Sequence, residues 1–229
     1  MSFWDNVWSP RPKKSFSQCG EDMIVDFIFK ALHIKEISYL DIGAHHPHHL
    51  SNTYHFYLDG HKGVCIEPDP TACKLIKRKR PKDVCLNIGI GVSSVQEANF
   101  YVMSSPTLNT FSLEDAERYQ NFGHQKIEKV LKIPLLPIND ILAEYFNGAP
   151  HFVSLDVEGL DLPILQSIDF SRHRPTVFCV ETLTYTEDNS EEKLTGIIDF
   201  LLAHQYMLYA DTFINSIFVD QGLWRQRNP

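Results

Sequence analysis

Short apolar runs alternate along this chain with longer stretches in which apolar residues recur every three or four positions, the patterns of buried strands and of amphipathic helices respectively. Met23, Ile24, Phe27, Ile28 and Leu32 predict a first helix, with Ser17 placed to cap it and Glu21 and Asp22 in its first turn. Residues 37–42 predict a strand, Thr53, Tyr54, Phe56, Tyr57 and Leu58 a helical segment, and 63–67 a second strand. Asp69 then caps a helix with Pro70 near its start, which runs to about Arg80 before Pro81 stops it. Its last turn, Lys77-Arg78-Lys79-Arg80, suits the helix dipole and reads as a solvated basic end. A third strand over 84–90 is followed by a β-ribbon around Ala98, Phe100 and Val102, a polar loop over 104–112 and a helix over 114–119. Residues 127–136 read as a strand that Pro134 favours at an edge, and Asn139 as the cap of a helix through Phe146. Strands over 152–156 and 176–180, a short helix from Asp161, a helix over 191–204 and two closing runs, 206–210 and 216–219, complete the pattern. Such β/α alternation predicts a doubly wound α/β sheet finished by a hairpin.

Composition narrows this. With 229 residues and 43% apolar content, the chain holds one large α/β domain over 17–229, preceded by an irregular arm over 1–16 that Pro10 and Pro12 keep from being helical. A net charge of -8 argues against nucleic acid as the partner, since phosphate binding needs a basic surface. The five cysteines are odd in number and lack metal-ligand spacing, and three fall in predicted strands, so they read as buried thiols of a reducing compartment. No long apolar segment predicts a membrane span or a leader, which leads to the expectation of a cytoplasmic protein. A homo-oligomer is compatible with all of this.

Chemistry concentrates at strand ends. Asp41-Ile42-Gly43-Ala44 closes the first strand and Ile66-Glu67-Pro68 the second, which is where α/β sheets bind ligands. Gly43 allows a sharp turn, and a Glu just past the second strand can accept hydrogen bonds from ribose hydroxyls. The glycines of a pyrophosphate cradle are missing after Gly43, where His45-His46-Pro47-His48-His49 stands instead. An oxidoreductase with NAD is therefore disfavoured against a nucleoside cofactor without phosphate.

The ordered words Ser17-Gln18-Cys19-Gly20-Glu21-Asp22, Asp41-Ile42-Gly43-Ala44, Ser51-Asn52-Thr53, Ile66-Glu67-Pro68-Asp69-Pro70, Asn87-Ile88-Gly89-Ile90 and Ser154-Leu155-Asp156-Val157-Glu158-Gly159 resemble the FkbM-type family of class I S-adenosylmethionine (SAM) methyltransferases. The resemblance implies a Rossmann-like seven-stranded sheet, mostly parallel with one antiparallel strand, and SAM as cofactor. It also implies O-methylation of a hydroxyl on a sugar, glycan or natural product. Pro47 stands where many members have glycine. A catalytically silent member that binds SAM or a partner is the alternative.

On this reading Asp41, Gly43, His45, Glu67, Pro68, Asn87, Ile88 and Asp156 face the cofactor. Asp156, at the end of the fourth principal strand, is the expected base, with Glu158 and His46 as further catalytic candidates. His46, Asp156 and Glu181 form a candidate site for Mg²⁺ or Mn²⁺. Thr110 and Phe111 in the polar loop, with Glu181 and Tyr185, are the expected acceptor contacts.

Overall fold

A computed structural model describes residues 14–122, 125–157, 159–184 and 191–227. Trp4, Trp8, Glu158 and Tyr185 lie outside the described residues. The elements in chain order begin with α1 (Glu21–Ala31), β1 (Ser38–Ile42), α2 (Tyr54–Leu58), β2 (Lys62–Ile66) and α3 (Pro70–Lys79). The middle of the chain forms β3 (Val84–Leu86), β4 (Gly89–Gly91), β5 (Glu97–Met103), a 3₁₀ turn (Pro106–Leu108), α4 (Leu113–Phe122), β6 (Ile127–Pro137) and α5 (Ile138–Tyr145). Then come β7 (Phe152–Leu155), α6 (Asp161–Ser167), β8 (Val177–Glu181), α7 (Thr195–Ala203), β9 (Tyr206–Asp211), β10 (Asn215–Asp220) and α8 (Gln221–Gln226).

Among the described residues, seven strands form one sheet in the order β3-β2-β1-β7-β8-β10-β9, with β10 antiparallel to both of its neighbours. The remaining pairs in this sheet are parallel. This is the expected doubly wound, Rossmann-like sheet with one antiparallel strand. The apolar runs of β1, β7 and β8 are buried on both faces because helices cover both. On one face Leu40, Ile42, Val153 and Leu155 pack against Ile141, Leu165 and Leu201 of α5, α6 and α7. On the other, Tyr39, Phe152 and Cys179 meet Val25, Ile28 and Phe29 of α1 and Phe56 of α2. Among the described residues, no helix is long and apolar enough to cross a membrane.

Several local readings need correction. The single strand over 84–90 is two: β3 joins the large sheet, while β4 pairs in parallel with β6 in a separate three-stranded sheet, β4-β6-β5. Gly89 makes the departure possible, since a Cβ there would lie 2.6 Å from Phe111 Cζ. β6 is accordingly the central strand, not an edge. Pro134 is tolerated because it pairs with Glu97 at the end of one ladder, just before the other begins at Leu135. Asn139 is not the cap of α5, whose N-cap is Pro137. Its amide instead donates to Ser167 O (2.8 Å) and accepts from Asp169 N (2.9 Å), tying α5 to the end of α6. The cap at Asp69 forms as expected, with Oδ1 accepting from Thr71 N at 2.8 Å.

The basic run at the end of α3 divides. Lys77, Arg78 and Lys79 are exposed, but Arg80 is fully buried. Its Nε donates to Asp83 Oδ2 (2.7 Å) and its Nη2 to Thr53 Oγ1 (2.9 Å), while the guanidinium lies over the rings of Tyr39 and Tyr57. Tyr39 Oη and Gly63 N also donate to Asp83, so one buried Arg–Asp pair joins α3, β1, β2 and the turn before α2.

Candidate functional site

The parallel strands carry their carboxyl ends to one edge of the sheet, and a cleft of about 460 Å³ opens there. That volume suits a small-molecule ligand. Asp41 from β1, Glu67 after β2, Asp156 after β7, Glu181 from β8 and Asn215 at the start of β10 line it, joined by Gln18 and Asn52 from the loops before α1 and α2. Segment 105–111 and Phe100 form the opposite wall.

Gly43 is held in place by packing within the protein. Its φ is +83°, and a Cβ there would stand 1.9 Å from the Asp156 carbonyl oxygen. Asp156 N in turn donates to Ile42 O at 3.1 Å, so β1 and β7 close on each other at this edge. Gly43→Ala therefore incurs both the left-handed backbone penalty and a clash with backbone. A loss of about 2–5 kcal/mol of unfolding free energy is expected by urea denaturation.

Glu67 is buried, and its two carboxylate oxygens accept from His45 N and Asp69 N, both at 2.7 Å. Burial pushes its pKa up to about 7; the two backbone donors oppose that rise, and the Asp69 and Asp41 carboxylates add to it. Asp41 is buried as well, accepting from Thr53 Oγ1 at 2.5 Å with Arg80 Nη1 3.9 Å away. Burial raises its pKa, and Arg80 opposes the rise.

Asp156 lines the cleft and is exposed to solvent. Desolvation by the surrounding protein raises its pKa; a hydrogen bond with Glu181 opposes the rise, and the Asp41 carboxylate adds to it. Asp161, at the start of α6, is pushed up to about 7 by burial and by Asp156. Acidic groups from adjacent strands thus converge on the cleft, an environment suited to a cationic ligand.

The other expected residues divide. His45 and Pro68 line the cleft; His45 has φ +46°, and burial lowers its imidazole pKa. Asn87 turns its amide nitrogen to Glu67 O (2.9 Å) and Pro68 O (2.7 Å), shaping the turn after β2, and Ile88 is in the core below. Neither lines the cleft. Thr110 and Phe111 do, but Thr110 Oγ1 accepts from Ser112 N at 3.0 Å and the Phe111 ring packs against Phe100 at an interplanar angle of 55°.

His46 is not brought to Asp156 and Glu181. Its Nδ1 accepts from His49 N at 3.0 Å and His48 N at 3.3 Å, its ring packs edge-on against both, and it does not line the cleft. Burial, with the neighbouring histidines, lowers its pKa. The expected Asp156–Glu181–His46 metal triad is not assembled: among the described residues, the three-ligand cluster lies elsewhere, at Asp26, His55 and Asp59.

Gln18, Asn52, Ser154 and Asn215 are cleft residues that periodicity did not single out. Ser154 left a signal, a hydroxyl inside an otherwise apolar strand, and it accepts from Asn52 Nδ2 at 3.2 Å. Asn215 gave none; its Nδ2 donates to Glu21 Oε1 at 3.1 Å, bringing the start of α1 to the far end of the chain.

This strand order, with acidic residues at the carboxyl edge, defines a Rossmann-like methyltransferase fold. The chain belongs to the FkbM methyltransferase family, whose domain matches residues 41–208. Solved structures similar to it include a TehB-like SAM-dependent methyltransferase from Corynebacterium glutamicum (9% identity, 95% of this chain and 94% of that one, TM-score 0.44). An O-methyltransferase from Bacillus cereus in complex with SAH is also similar (12%, 94% and 87%, 0.42). So is a precorrin-6y C5,15-methyltransferase from Geobacter metallireducens (14%, 90% and 80%, 0.40). No curated protein sequence matches the chain.

Proposed function

We propose that the chain is a SAM-dependent O-methyltransferase acting on a hydroxyl of a sugar, glycan or natural product, with Asp156 as the base. The observation that carries this reading is the convergence of Asp156 and Glu181, from the ends of the adjacent strands β7 and β8, on one cleft. SAM, when bound, supplies the electrophilic methyl group. The residues fit it: Glu67 offers a buried carboxylate at the strand end where ribose hydroxyls are held, and Asp41 and Asp156 supply negative charge for a cationic cofactor.

The chain's own residues then have two tasks. Methyl transfer needs the acceptor oxygen held in line and its proton removed as the new bond forms. Asp156 takes that proton, and Glu181, in its protonated form, donates to the Asp156 carboxylate and holds it in place. The facing segment 105–111 supplies the aromatic surface of Phe111 and the hydroxyls of Ser105 and Thr107 to a polyhydroxylated acceptor. Incubation with SAM and a panel of nucleotide sugars and glycosides, followed by mass spectrometry, tests this through a mass gain of one methyl group. SAH binding without any methylated product would favour the catalytically silent alternative.

Cofactor binding carries its own pH signature. Ribose hydroxyls donate to the ionised form of Glu67, so binding draws its pKa down from about 7 and releases a proton. SAM affinity should fall as pH drops below 7, approaching tenfold per unit. Titration calorimetry at pH 6.5 in two buffers of different ionisation enthalpy should show proton release. Glu67→Ala should abolish that release and weaken binding by at least ~1 kcal/mol. Unchanged affinity in this variant would remove Glu67 from the cofactor site.

A further inference from the structure

Where α1 meets α2, a group of side chains stands apart from the cleft. Asp26 comes from α1, and His55 and Asp59 stand one helical turn apart on α2 and its C-terminal end. One ligand atom from each lies within 4.8 Å of the others, and none of the three lines the cleft. His55 is 7% exposed, and its buried Nε2 has no hydrogen-bond partner.

That nitrogen lies 3.5 Å from Asp59 Oδ2 and 3.8 Å from Asp26 Oδ2. A hydrogen bond would draw either oxygen to about 2.9 Å. Two ligands bound tetrahedrally to one ion at about 2.1 Å stand about 3.4 Å apart, close to the spacing seen. Lys30 Nζ sits on Asp26 Oδ2 at 2.5 Å, and its side chain is 58% exposed, so the ammonium can withdraw into solvent when another cation arrives. The Asp59 side chain is 55% exposed and leaves an entry path open to water.

We propose that Asp26, His55 and Asp59 bind one zinc-class divalent cation that clips α1 to α2. One imidazole and two carboxylates form a nitrogen and oxygen donor set that zinc accepts, with water completing four-coordination on the Asp59 side. The clip would join two helices whose N-terminal ends adjoin cleft residues. α1 begins at Glu21, which holds Asn215, and α2 follows directly on Asn52 and Thr53.

The test uses the full chain stripped with a chelator, then titrated with zinc chloride alone. One equivalent should bind, and at a free zinc concentration a hundredfold above Kd the melting temperature should rise by about 5 °C or more. Asp59→Asn, chosen because this side chain is largely exposed, should keep the fold and bind zinc at least tenfold more weakly, and His55→Gln should do the same. A His48→Ala/His49→Ala variant should bind as the parent does. Absence of stoichiometric binding would overturn the proposal. So would zinc affinity that survives Asp59→Asn but is lost in the His48/His49 variant, which would move the ion to the histidine turn.

Discussion

Asp156→Asn should methylate its acceptor at least a hundredfold more slowly than the parent chain, with SAM binding changed little. Asparagine keeps the volume and the backbone contacts of Asp156, including its N–H bond to Ile42 O at 3.1 Å, but has no lone pair basic enough to take a hydroxyl proton. The lost factor corresponds to a positioned general base, about 10²–10⁴. The raised pKa adds a pH signature: protonated Asp156 is inactive, so the parent kcat should fall as pH drops through that pKa. The Asn variant should lose this acidic limb. Steady-state kinetics across pH, with calorimetry for SAM, separate the two effects; turnover within threefold of the parent would rule out Asp156 as the base.

Arg80→Ala should cost about 3–5 kcal/mol of unfolding free energy, much of the 5–15 kcal/mol that holds an ordinary domain together. Removing the guanidinium leaves Asp83 and Asp41 buried without their cation and opens a void between the rings of Tyr39 and Tyr57. Arg80→Lys should recover only part of the loss, since an ammonium cannot reproduce the fork that bonds Asp83 and Thr53 together. Pairing Arg80→Met with Asp83→Asn should be less harmful than the two single losses added, because each alone strands its partner. Urea midpoints with a constant m-value measure this, and a loss below ~1 kcal/mol for Arg80→Ala would show that the pair carries little of the fold.

Much of the architecture was legible in consecutive residues. The apolar runs ending in Asp41, Glu67, Asp156 and Glu181 correctly announced strands whose ends meet at one cleft edge, because in a parallel sheet every such end points the same way. The Asp69 cap with Pro70 was equally local. The four-residue basic run was misread at its last position: Lys79 and Arg80 look alike in sequence, but only Arg80 meets a buried carboxylate, which α3 and the turn after it deliver.

The sequence by itself thus determined most of the β/α alternation, the acidic strand ends and the family, since periodicity, capping and motif words are properties of neighbouring residues. Only the tertiary structure decided which polar groups face the cleft and which serve the protein. It turned Asn87 onto the carbonyls of Glu67 and Pro68, Thr110 onto its own loop and His46 onto the backbone of its turn. It also joined Glu21 to Asn215 and Asn52 to Ser154 across the length of the chain. A buried donor or acceptor must find a partner, and that partner is set by which distant segments the packed sheet brings within about 3 Å.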